Sequence, residues 1–135
     1  MCGCKGKCGC NITSTTKGEK GDASPVASLG YKSYIALLTQ TSTNAPTATV
    51  LQNTLGEVPT FTFDGNGTFS IISSGIFTED KTWFNIANEN FSFAALCSIG
   101  WVNNTKITII TVDPTTGTKT NTLLRRTPIE IRVYA

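Results

Sequence analysis

The chain has 135 residues, a formal charge of +2 and charged side chains at only 15% of its positions, which favours one compact domain plus a tail. It contains no histidine. That removes the usual general base near neutral pH, the commonest metal ligand, and every serine–histidine or cysteine–histidine nucleophile pair, so we expect no catalytic residues, no cofactor and no enzymatic role.

The charge is unevenly placed. Lys5, Lys7, Lys17 and Lys20 against Glu19 and Asp22 give residues 1–30 a net +2, whereas seven basic and seven acidic side chains leave residues 31–135 neutral. A neutral body argues against a nucleic-acid partner, which calls for a basic patch. The N-terminus lacks the apolar run of a signal peptide, and no stretch approaches the ~20 apolar residues of a membrane helix. No membrane partner is expected, and assembly in a reducing cytoplasm is.

Residues 2–10 read Cys-Gly-Cys-Lys-Gly-Lys-Cys-Gly-Cys, the same in both directions. Three readings compete for Cys2, Cys4, Cys8 and Cys10. Four thiolates could bind zinc, although structural zinc pairs usually carry a spacer of two to four residues. Interchain disulfides could lock the base of an oligomer after release from the cell. A reduced, small peptide could thread into a partner, using cysteine as a compact apolar residue. On the last two readings Cys2, Cys4, Lys5, Lys7, Cys8 and Cys10 form a candidate partner-binding anchor.

Gly3, Gly6, Gly9, Gly18 and Gly21 fall in one phase of a three-residue period. Chance gives that phase agreement about once in eighty, and a glycine at every third residue is what the crowded axis of a collagen triple helix requires. Ile12, Thr15 and Ser24 interrupt the register. In Lys17-Gly18-Glu19 and Lys20-Gly21-Asp22 a lysine of one chain could meet a carboxylate of the next. Gly18, Glu19, Lys20, Gly21 and Asp22 are thus the candidate residues of a short trimeric stalk, against the alternative of a flexible linker.

All twelve aromatic residues lie beyond residue 30, so only residues 31–135 can build a core. There the pattern predicts strands over 31–40, 47–52, 60–63, 68–73, 82–87, 91–97, 106–112 and 118–125. The final one alternates Ile129, Ile131 and Val133 with Glu130, Arg132 and Tyr134. Asp64-Gly65-Asn66-Gly67 is a strong hairpin signal, and Asp113-Pro114-Thr115-Thr116-Gly117 a second turn. Short strands at regular spacing predict an all-β domain, a small antiparallel sandwich or barrel.

Several residues imitate chemistry. Ser14-Thr15-Thr16-Lys17 matches a Ser-X-X-Lys pattern without companion motifs. Asp64–Gly67 faintly suggests a calcium loop but lacks its spacing and terminal carboxylate. Glu79-Asp80 reads as a charged turn, Arg125-Arg126 as a solvated strand end, and Cys97 as a buried core thiol. Trp83 and Trp101 are expected as core or interface anchors.

Four blocks resemble a known group of proteins. They are Tyr31-Lys-Ser-Tyr-Ile-Ala-Leu-Leu-Thr-Gln, the run from Asn44 to Gly56, Gly75-Ile-Phe-Thr-Glu-Asp-Lys-Thr-Trp83 and Pro128-Ile-Glu-Ile-Arg-Val-Tyr134. In order, they resemble a small domain of phages and prophages of Bacteroidetes, in particular head-fibre and related virion proteins of crAss-like phages. The resemblance implies a homotrimeric virion component on the outside of the capsid, bound to capsid or other virion proteins, with a host surface glycan as a further candidate partner. The cysteine-rich start is not part of it. The expected organisation is residues 1–30 as an extended capsid anchor and collagen-like stalk, and 31–135 as the β domain. A tail-tip or receptor-binding adhesin, and a metal-binding or redox module built on the N-terminal cysteines, are the alternatives.

Overall fold

Alternation of apolar and polar side chains puts one face of a strand in the core and the other in solvent, as along Lys106–Asp113 of this chain, and the described residues form nine strands. A computed structural model of the protein describes residues 30–87 and 95–135. The strands are β1 (Tyr31–Thr39), β2 (Thr47–Asn53), β3 (Thr60–Gly65), β4 (Thr68–Ile72), β5 (Thr82–Ile86), β6 (Leu96–Asn103), β7 (Lys106–Asp113), β8 (Thr118–Lys119) and β9 (Arg125–Tyr134). The described residues form no helix.

The strands make two antiparallel sheets. One runs β2-β1-β9-β5; the other runs β3-β4-β7-β6, with β8 added beside β7. Both contribute to a single core. Tyr34, Ala36 and Leu38 of β1 and Ile129 and Ile131 of β9 share one cluster with Phe69 and Ile71 of β4 and Ile107 and Ile109 of β7. Leu55, Phe77 and Leu124 enter the same cluster from connecting segments. Two antiparallel sheets around one apolar layer is the arrangement of a β-sandwich.

The Asp64–Gly67 hairpin forms as its sequence predicts. Gly67 has φ +60°, and a Cβ there would lie 2.5 Å from the Thr111 carbonyl oxygen and from the Thr120 nitrogen. Only glycine meets both demands. Asp64 accepts hydrogen bonds from Thr62 and Ser70 and pairs with Lys106 at 2.8 Å. These contacts, Lys106 first, lower its pKa to about 2. The carboxylate ties the hairpin to β7 through Lys106.

Three strand expectations are corrected. The strand expected over 91–97 is β6, which starts at Leu96 and runs through Trp101 to Asn103; residues 91–94 lie outside the described residues. Asn103 sets its end, because its side-chain oxygen accepts from the Thr105 backbone N–H and turns the chain into β7. The strand expected over 118–125 is only the two residues of β8. Beyond it Thr122 takes φ +65° and Leu124 is fully buried, so this stretch serves as a plug rather than a strand. β9 begins earlier than its alternation suggests, at Arg125, and tolerates Pro128. The Pro128 carbonyl accepts from Ala87 just past the end of β5, so the missing N–H falls where β5 has stopped.

Segment 120–124 ties the two sheets together at one end of the sandwich. Gln40 at the end of β1 is buried. Its side chain donates to the carbonyls of Ser42 and Asn44 and accepts from the Thr122 N–H. On the other sheet, Gly67 N–H donates to the Asn121 side chain at 2.7 Å, and Asn66 donates to the Lys119 carbonyl at 2.7 Å. We refer to this as the strap end.

Candidate functional site

At the opposite end the two termini of the β domain meet. The Ala135 N–H donates to the Gly30 carbonyl at 3.2 Å, closing the β1–β9 ladder in which Tyr31 lies opposite Tyr134. Residues 1–29 therefore reach the domain here, and we refer to this as the entry end.

Register then assembles an aromatic cluster on the outer face of β1, β9 and β5. Inward positions of β9 go to Ile129 and Ile131, so Glu130, Arg132 and Tyr134 point out. Trp83 lies opposite Arg132 in the β5–β9 ladder. The Arg132 guanidinium sits 4.7 Å from the Trp83 ring centroid and 4.9 Å from that of Tyr31, within cation–π range of both. Tyr31 and Tyr134 tilt against each other at 5.2 Å. Arg132 Nε donates to Glu130 at 2.6 Å, and hydrogen bonds to Glu130 and then Tyr134 raise the guanidinium pKa. The guanidinium is thus fixed from four sides, yet Trp83 and Tyr134 each remain 43% exposed.

Beside the cluster is a largely apolar cavity of about 380 Å3, lined by Gly30, Tyr31, Leu55, Ile76, Val133 and Tyr134 among others. Its shape depends on the β2–β3 connection. Asn53 holds that segment by accepting from Leu55 N–H at 3.0 Å and donating to the Glu57 carbonyl at 2.9 Å. The Glu57 carboxylate in turn accepts from the Ser74 hydroxyl and backbone N–H, which lowers its pKa. Leu55 is thereby directed inward, while Val58 is left 70% exposed.

The other residues singled out from sequence distribute as follows. Trp101 packs on the core and donates from Nε1 to the Phe77 carbonyl at 2.7 Å; Trp83 lies on the surface of β5. Cys97 is half-buried against the core, and burial pushes its thiol up to about 11, far from the thiolate that reactivity needs. Glu79 and Asp80 lie in a turn with Asp80 at φ +62°, and Arg125 and Arg126 begin β9. Among the described residues no three histidine, cysteine, aspartate or glutamate side chains converge on a metal position. The anchor set Cys2, Cys4, Lys5, Lys7, Cys8 and Cys10, the stalk set Gly18, Glu19, Lys20, Gly21 and Asp22, and the Ser14–Lys17 pattern lie outside the described residues.

The entry-end cluster was not singled out from sequence. Its signal was the outward triplet Glu130, Arg132 and Tyr134, but the partners Trp83 and Tyr31 are brought to it only by strand register. In comparisons with known proteins, no family model, no curated protein and no solved structure matches the chain.

Proposed function

We propose that the protein is a non-enzymatic structural component of a bacteriophage virion. It is a trimeric head fibre or capsid-decorating protein attached to the capsid exterior by its N-terminus. What supports this reading is the order of the chain, in which a glycine-phased segment precedes a β domain entered at Gly30. A basic, cysteine-rich start, two charged triplets of Gly-X-Y character and then a β-sandwich follow one another in the chain. Because Gly30 and Ala135 lie together, a stalk joined there leaves the threonine-rich strap end free to face outward. The resemblance of the four sequence blocks to head-fibre proteins supports the same assignment.

In this account residues 1–10 contact a capsid or other virion protein, residues 11–24 gather three chains, and the β domains project. Deleting residues 1–10 tests the anchor. The expected result is a soluble trimer that no longer incorporates into particles when supplied during infection, measured by quantitative mass spectrometry of purified virions. Normal incorporation of the truncated chain refutes the anchor. Labelling of intact particles with an antibody to residues 31–135 separates a head position from a tail-tip adhesin.

A further inference from the structure

We infer that the entry end is where copies of this chain dock on one another, with Trp83, Arg132, Tyr31 and Tyr134 at the centre of the contact. The inference rests on the proposed trimeric stalk and assigns the face of the β domain that the stalk brings together.

Chain length limits the geometry. Seven residues separate Asp22, the last of the charged triplets, from Gly30 at the rim of the β domain, and even fully extended the connection spans at most about 28 Å. On the proposed stalk, three chains gathered at Gly18–Asp22 would hold their entry ends within that reach of one axis, with the strap ends on the far side of each domain. The surface beside Gly30 has the composition of an interface centre. Trp, Tyr and Arg are the residues that most often carry binding energy at protein contacts, and here one of each, plus a second Tyr, forms a single stacked unit. Arg132 is already fixed by Tyr31, Trp83 and Glu130, so docking orders little that is not ordered beforehand. Trp83 and Tyr134 expose large apolar area in the free domain. Half-exposed Trp and Tyr side chains held in one cluster are characteristic of an interaction site.

The test is sedimentation equilibrium of the full-length chain in reductant, so that cysteine cross-links do not hold it together. Wild type is compared with Trp83→Ala, with Tyr134→Ser and with Leu96→Ser, an exposed apolar residue opposite Val112 on the strap-end side. Trp83 lies half exposed on an edge strand, so its removal leaves the sandwich folded. Far-ultraviolet circular dichroism checks each variant.

The expected result is a wild-type trimer whose half-dissociation concentration rises on the order of tenfold or more in Trp83→Ala and Tyr134→Ser and is unchanged in Leu96→Ser. A wild-type trimer that both entry-end substitutions leave intact overturns the docking face while the stalk stands. A wild-type monomer overturns the stalk and the docking face together. Intact variant trimers that lose binding to immobilised mucin oligosaccharides would give the cluster to a glycan and overturn the inference equally.

Discussion

The two ends of the sandwich are built on opposite principles. At the strap end, segment 120–124 is fastened to both sheets by hydrogen bonds, through Gln40 on one and Gly67 on the other. At the entry end, rings, a guanidinium and a cavity are stacked with two large side chains left open to solvent. Hydrogen-bonded closure satisfies the backbone and ends there, whereas open aromatic surface retains free energy to be gained from a partner. One end closes the fold, and the other leaves aromatic surface open.

Breaking the strap end should therefore cost stability. Gly67→Ala forces a Cβ against two backbone atoms in a left-handed conformation, and we expect a loss of about 3 kcal/mol or more. Denaturant midpoints at constant m-value would measure it. Gln40→Ala leaves the Thr122 N–H and two carbonyls without their side-chain partner, with an expected loss of about 2 kcal/mol by the same measurement. A core substitution should have the opposite sign. The Tyr34 hydroxyl is buried with no hydrogen-bond partner among the described residues, and its burial raises the pKa. Tyr34→Phe should raise stability by about 1 kcal/mol.

The smallest effect is a pH dependence. The Asp64 carboxyl has a pKa of about 2 in the fold, below its ordinary 3.8, so its ion pair with Lys106 and its hydrogen bonds stabilise the fold fully only above pH 4. That contribution fades as the pH falls towards 2. The stability difference between wild type and Asp64→Asn, followed by urea unfolding across this range, should be largest above pH 4 and shrink towards pH 2.

The strands were legible where side-chain alternation is clean. β1, β2, β5 and β7 lie within a residue or so of their expected bounds, and the Asp64–Gly67 turn falls where asparagine and glycine put it. β6 runs past its expected end because Ser98 to Trp101 continue the pairing with β7, and only the Asn103 turn shows where it stops. β8 was overestimated because Leu123 and Leu124 look like strand residues, while Leu124 is a core plug that local pattern cannot distinguish. The entry-end cluster was hidden for a different reason. Arg132, Trp83 and Tyr31 lie far apart in sequence, and they meet only because β9 pairs with β1 on one side and β5 on the other. Long-range strand order has no local signature, and the adjacency of Gly30 and Ala135 is equally invisible without it.

The central claim is that three chains assemble through one end of this domain. Its most direct test is the mass of the full-length chain in solution, by sedimentation or light scattering, with and without reductant. The account predicts three times the chain mass of 14.4 kDa in both conditions. A single chain mass in both would contradict it, leaving the glycine phase a coincidence and the entry end a face for some other partner.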